Sequence, residues 1–394
     1  MGVCTKAAFL VAMLIFLSAC GVGDAGNNIS LQQRIDNYIE EHGQNIAGLA
    51  ISVFTKEDMV LEIEYGYANI EAGLAIDAGA VFEWGALTKQ LVWVSAMQLY
   101  ERGELDLHAN IFTYIPEANF PNIVYPTTMF HLMHHAAGFD DYVNSGFANM
   151  IVGEAVPALD ALIISMTATE HAAQNWQPGQ RVRYSIYGTL LASYVVQQVA
   201  GVPFYEYVHC NIFAPLGMHH TALLPDMADN PWVQQQRKNI MVYDMWGLQF
   251  FQRRQMLAYP TAAAVGTMSD MVRFARGFLP DKNGNSALFA HAETLSMLHP
   301  SREDILNTSQ CELLHMNVAF FYGIGILADS SDGSEPARVV GHIGATAGFR
   351  VFWFIDIDAG IGMVMGENTT HGIASASRFL RFFTNEIPAL ASQI

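Results

Sequence analysis

The sequence predicts an α+β fold, with one antiparallel sheet drawn from both ends of the chain, flanking helices, and a mainly helical lobe inserted between the two halves. Three observations carry this expectation. Residues 48–54 and 59–67 read as strands, and the charged turn Lys56-Glu57-Asp58 separates them. Residues 320–328, 338–342, 349–355 and 360–365 read as short strands near the other end. Between these groups, to about Leu279, the pattern is helix and loop. Strands at both ends with helices between them form a single sheet most simply when the middle is an insertion.

In chain order, the first segment is apolar. Lys6 precedes an uncharged run over residues 7–17, a secretory signal core too short to stay as a membrane-spanning helix. It ends in Leu17-Ser18-Ala19-Cys20, which resembles the bacterial lipobox, whose cysteine becomes the acylated first residue. Residues 1–19 are therefore expected to be a lipoprotein signal and residues 20–34 a tether, with Gly21 to Asn28 its flexible part. The expected location is export to the bacterial cell envelope, with the chain held at the membrane through lipid on Cys20. The segment Leu31–His42 has helical spacing. The main domain is read as residues 35–390, its sheet region about 35–80 and 318–390 and its helical region about 81–317. The helix over residues 87–103 closes at Glu101-Arg102-Gly103, and a last amphipathic helix is expected over residues 374–384.

Composition narrows the function. The 37 acidic residues against 19 basic ones leave no basic stripe to neutralise phosphates, so nucleic acid is not an expected partner. No second apolar run reaches spanning length, so the mean hydropathy of +0.21 implies a large buried core. Beyond Cys4 and Cys20, Cys210 and Cys311 remain. They are either a pair formed in an oxidising compartment or two small buried hydrophobes.

Three segments carry chemistry. In Phe82-Glu83-Trp84-Gly85-Ala86-Leu87-Thr88-Lys89, a helix start places Ala86 and Lys89 on one face, at the spacing where a lysine amine reaches a hydroxyl. Alanine has no hydroxyl to offer. In Tyr184-Ser185-Ile186, a phenol precedes a branched apolar side chain that neither donates nor accepts a hydrogen bond. In Gly341-His342-Ile343-Gly344-Ala345-Thr346-Ala347-Gly348-Phe349, glycine allows a substrate backbone to lie close to a strand.

Together these resemble the three elements of the serine β-lactamase/penicillin-binding-protein superfamily, which includes DD-peptidases and class C β-lactamase-like esterases. They correspond to serine-x-x-lysine, tyrosine-x-asparagine and the histidine-x-glycine variant of lysine-threonine-glycine. The nucleophilic serine is replaced by Ala86 and the asparagine by Ile186. Further matches run in order from about Ile46 to Asn368. Among them are His131-Leu132-Met133-His134-His135-Ala136-Ala137-Gly138, Ile212-Phe213-Ala214-Pro215-Leu216-Gly217 and Thr267-Met268-Ser269-Asp270, the last suited to an N-cap. The resemblance implies a β-lactamase/transpeptidase-like fold. It implies Ala86, Lys89, Tyr184 and His342 at catalytic positions, and Ile186, Gly344 and Ala345 along a substrate pocket. The backbone N–H groups of Ala86 and Ala345 would form an oxyanion hole, which survives loss of the serine side chain.

His131, His134 and His135 include a His-x-x-His spacing. No carboxylate or cysteine sits beside them at ligand spacing, so neither a metal nor any other cofactor is expected. Three functions remain open. The leading one is a catalytically impaired homologue that keeps a pocket for a peptide, cell-wall or ester-like ligand. The second is a working esterase, amidase or DD-peptidase-like hydrolase using Ser185, Thr88 or an activated water. The third is an envelope structural protein without a ligand.

Overall fold

The computed structural model describes residues 29–43, 45–140, 157–167, 173–244, 258–299, 324–328, 337–370, 379, 382–386 and 390. Contacts divide the chain into two compact units, residues 1–42 and 43–394. The first contains helix α1 (Leu31–His42). A capping box starts it: Ser30 Oγ accepts the Gln33 N–H at 3.2 Å, and Gln33 Oε1 accepts the Ser30 N–H at 3.0 Å. Residues 31–34 are therefore helical rather than tether.

The second unit is built on a seven-stranded sheet. Its first strands are β1 (Gly48–Thr55), β2 (Met59–Asn69) and β3 (Leu74–Ala75). After the three strands of a smaller sheet, β4 (Val81–Glu83), β5 (Thr221–Ala222) and, following the two-residue β6 (Tyr243–Asp244), β7 (Val265–Thr267), the chain returns to the large one. There it adds β8 (Ile324–Ala328), β9 (Ala337–Ala345), β10 (Arg350–Asp356) and β11 (Ile361–Glu367). The order β3-β2-β1-β11-β10-β9-β8 joins the two ends of the chain where antiparallel β1 and β11 pair, with Ile51 opposite Met365. This is the predicted sheet. The turn between β1 and β2 is the predicted charged one, closed by Thr55 N–H to the Asp58 carbonyl and by Asp58 N–H to Thr55 Oγ1.

Residues 351–355 of β10 and 361–366 of β11 carry no charged side chain, as strands covered on both sheet faces require. Side-chain alternation along β10 separates its aromatic residues. Phe352 and Phe354 turn to one face and meet Phe379 and Phe383, and residues 382–386 are helical. Phe379 is helical too, and the remainder of the helix expected over 374–384 lies outside the described residues. Trp353 turns to the other face, where it stacks on Phe278 and donates its indole N–H to Gln90 Oε1 at 2.9 Å.

Gln90 belongs to α2 (Lys89–Glu101), which the 3₁₀ turn Gly85–Thr88 precedes. Residues 89–99 of α2 are all buried, as a helix sandwiched between layers requires. After the short α3 (Met129–Met133) and α4 (Leu159–Thr167), α5 (Ile186–Ala200) packs against α2. Its interior is equally apolar, Ser185 caps its start, and Gly201 ends it at φ +70°, a left-handed stop that glycine takes without strain.

Three expectations change in detail. Strand β9 runs past His342 to Ala345, pairing Ala345 with Arg350, where the strand expected over 338–342 would have ended. The helical region also contains the small sheet β4-β7-β5. Cys210, one of the two alternatives for which was burial, is exposed and has no partner among the described residues. In the π-helical turn His209–Phe213 the core-facing side chains are Ile212 and Phe213, which leaves Cys210 outward. Cys311 and residues 320–323 lie outside the described residues, as does Cys20. Among the described residues no helix is long and apolar enough to cross a membrane.

Candidate functional site

Backbone fit sets the site. Trp84 donates its N–H to the Ala264 carbonyl at 2.8 Å, and Thr88 Oγ1 accepts the Ala264 N–H at 3.1 Å, which fastens the 3₁₀ turn on one side. On its other side the turn lies directly on the end of β9. A methyl group at Gly344 would stand 1.8 Å from the Trp84 carbonyl oxygen, and one at Gly85 (φ +52°) would stand 2.6 Å from the Ala345 nitrogen. Both glycines are needed for this approach. Gly344→Ala is expected to cost about 3 kcal/mol, because rigid backbone meets the new methyl. Urea denaturation would measure this, and an unchanged midpoint would contradict the fit.

This contact brings the backbone of Ala86, half-buried, beside that of exposed Ala345. The Thr346 N–H donates to the Phe349 carbonyl toward β10, so antiparallel alternation turns the Ala345 N–H away from that strand. The Ala86 N–H belongs to the first turn of a helical segment, where N–H groups have no acceptor within the helix.

One turn on, the side chain of buried Lys89 occupies the centre of the site. Its ammonium donates to the Thr261 carbonyl at 2.8 Å and lies 4.9 Å from the centroid of the Tyr184 ring. Tyr184, half-buried, is the residue before the cap of α5. Its ring packs tilted against that of His135, the centroids 4.5 Å apart. Buried His342, on β9, completes the group, and the Lys89 charge acts on it. The structure thus brings together Lys89, Tyr184 and His342, and it sets Gly344 and Ala345 against Gly85 and Ala86. Ile186 is half-buried at the first position of α5 and packs against the core.

Burial holds both inner histidines toward the neutral form, and their hydrogen bonds give them different tautomers. His342 Nδ1 lies 2.9 Å from the Ile343 carbonyl, which can only accept, so Nδ1 carries the proton and Nε2 the lone pair. Burial first, and the Lys89 charge second, push its pKa down to about 4. His135 Nδ1 accepts the Ser185 N–H at 3.1 Å, so its proton is on Nε2. Burial, then Lys89 and His342, hold its pKa well below the usual value.

The histidines near α3 have structural hydrogen bonds. His131 closes a capping box with Thr128, and His134 Nδ1 bonds the Phe130 carbonyl at 2.6 Å. The sequence reading missed His135 as part of the site, having assigned it only to a structural stretch. The two hydroxyls considered as substitute nucleophiles are both engaged. Ser185 Oγ accepts the Gly188 N–H at 2.7 Å as the cap of α5, and Thr88 holds the Ala264 N–H; both residues are buried.

Known proteins share this arrangement of chain. The chain is 24% identical over 370 residues to "Penicillin-binding protein 4" of Amycolatopsis lactamdurans, an alignment covering 92% of this chain and 89% of that protein. It is 22% identical over 379 residues to "Esterase EstB" of Burkholderia gladioli, covering 87% and 91%. Its fold is similar to the crystal structure of a β-lactamase/D-alanine carboxypeptidase from Yersinia pestis complexed with citrate. There the TM-score is 0.67 at 17% identity, with 90% of this chain and 97% of that one covered. The family model described as Beta-lactamase matches residues 33–380, and the chain belongs to that family.

Proposed function

We propose that this protein is a catalytically impaired homologue within its family, one that binds a peptide, cell-wall or ester-like ligand at the Lys89–Tyr184–His342 cluster without forming the usual acyl-enzyme. The observation that carries the reading is the assembly of this cluster one helical turn from residue 86, which bears no oxygen. In this reading the N–H groups of Ala86 and Ala345 receive a ligand carbonyl, an interaction that needs no side chain at position 86. Lys89 and Tyr184 supply the charge and phenol beside it, and Ile186 offers the ligand amide no partner. The names of the relatives, a penicillin-binding protein and an esterase, agree with a small carbonyl-bearing or cell-wall ligand. The hydrogen bonds of Ser185 and Thr88 weigh against a substitute nucleophile, since each hydroxyl already serves a buried backbone N–H.

The same reading places the domain at residues 35–390, exported and held at the cell envelope through acylated Cys20. No cofactor enters it, and the partners are the ligand and the membrane.

The test pairs binding with turnover. Melting of the native protein is followed with and without a β-lactam, ampicillin, and the dipeptide N-acetyl-D-alanyl-D-alanine, and hydrolysis of 4-nitrophenyl acetate is measured beside it. A ligand at one hundred times its Kd adds about 2.7 kcal/mol, a shift of several degrees. The expected result is a raised melting temperature with hydrolysis at background. Robust hydrolysis abolished by Ser185→Ala would establish an active enzyme instead, and neither shift nor hydrolysis would leave a structural protein.

A further inference from the structure

We infer that His135 is the positioning residue for Tyr184, gripping it through both of its chain neighbours and through its ring. The His135 carbonyl accepts the Arg183 N–H at 2.8 Å, and His135 Nδ1 accepts the Ser185 N–H at 3.1 Å. The residues immediately before and after Tyr184 therefore bond to one and the same residue. Between those bonds the imidazole lies against the phenol ring, with centroids 4.5 Å apart and planes 34° from parallel. On α2, Trp93 meets the His135 ring edge-on at 6.0 Å, so the imidazole is itself held from behind.

The backbone argues that the side chain is the purpose. His135 is one of two non-glycine residues at positive φ among the described residues, at +52°. Glycine enters that conformation freely, whereas histidine, like asparagine, enters it at some cost. A turn needed only for its shape is served by glycine, but glycine brings neither the acceptor nitrogen nor the ring. The strained turn after α3 is kept with a histidine because the histidine sets where Tyr184 stands, and through it the face that Lys89 meets at 4.9 Å. His135 touches no ligand in this account; it acts through Tyr184. The inference rests on the reading that Tyr184 faces the ligand.

The experiment uses the full chain carrying Ala86→Ser, with 4-nitrophenyl acetate turnover as the readout, and compares His135→Gly, His135→Asn and His135→Phe, alone and with Tyr184→Phe. Positioning predicts that His135→Gly lowers kcat about a hundredfold with KM within about threefold, although it suits the backbone. Asparagine, which keeps an acceptor and tolerates the turn, and phenylalanine, which keeps the ring, should each recover part of that loss. With Tyr184→Phe present, His135→Gly should add less than about threefold, since the two act as one unit. A His135→Gly variant within twofold of its parent, or losses that multiply, would overturn the inference. If the Ala86→Ser parent is inactive, turnover cannot read the inference, while the proposed function is still judged by the melting shift of the native protein. The inference is then decided in the native chain by amide exchange at Ser185 and Arg183 and by the Tyr184 ring resonances. His135→Gly should accelerate both amides at least about tenfold and shift those resonances; no change in either would overturn it.

Discussion

Ala86→Ser is expected to raise hydrolysis of small activated esters by roughly two to four orders of magnitude over the native protein. Loss of a serine nucleophile removes most of the rate of an acyl-transfer site and leaves what oxyanion donors and binding supply, so returning the hydroxyl restores a large factor. The new oxygen would stand one turn before Lys89, whose backbone N–H already bonds the Ala86 carbonyl, and beside the Ala345 N–H. Rescue should be partial. Ile186 offers no hydrogen bond where the family's resembling element has asparagine, so amides and β-lactams should gain less than esters. Adding Ile186→Asn should then improve amide or β-lactam reaction more than ester reaction. Steady-state rates on matched ester and amide substrates measure both effects. A double variant that reacts with neither would mean that the site no longer orients a carbonyl.

Acid should weaken the fold from about pH 6.5 downward. Burial, with the nearby Lys89 charge, pushes the His342 pKa from the ordinary imidazole value of about 6.5 down to about 4, and His135 is displaced in the same direction. Between those two values the unfolded chain takes up protons that the native chain refuses, so stability rises with pH across this window. The His342 contribution is intact above pH 6.5, falls as the pH is lowered, and reaches a loss of up to about 3 kcal/mol near pH 4. His131 and His299, also lowered chiefly by burial, act with the same sign. Urea denaturation from pH 7 to pH 4 should therefore show a steep decline that His342→Gln flattens by up to that amount. Equal slopes for the two proteins would show that His342 charges freely in the native state.

The sheet was legible because its strands are long and either alternate or run apolar, as in residues 48–54 and 349–355. The strands β4, β5 and β7 were not, since two or three residues carry no period. The extension of β9 beyond residue 342 was not legible either: Gly344 lets the strand run under the Trp84 carbonyl, and only the fold reveals that neighbour. Lys89, Tyr184 and His342 were legible through motif resemblance, their separation in sequence being far too great for any spacing argument. The Thr261 carbonyl that holds Lys89 had no signal, because a backbone acceptor is the same at every residue. His135 was visible as a residue but not as a site member. Its role depends on a positive φ and on two hydrogen bonds to a segment about fifty residues later, as their chain separation records. The exposure of Cys210 had no sequence signal either, since it depends on which side chains of residues 209–213 face the core.

The central claim is that residue 86 stands where the nucleophile of this family would act and that no other hydroxyl has taken its place. Intact-mass spectrometry after exposure to a β-lactam and to an activated ester tests it most directly, run on the native protein beside Ala86→Ser. The expected result is no added mass on the native chain and a single acyl adduct on the variant, mapped by peptide analysis to residue 86. A stoichiometric adduct on the native chain, at Ser185, Thr88 or elsewhere, would contradict it, as would an unlabelled variant.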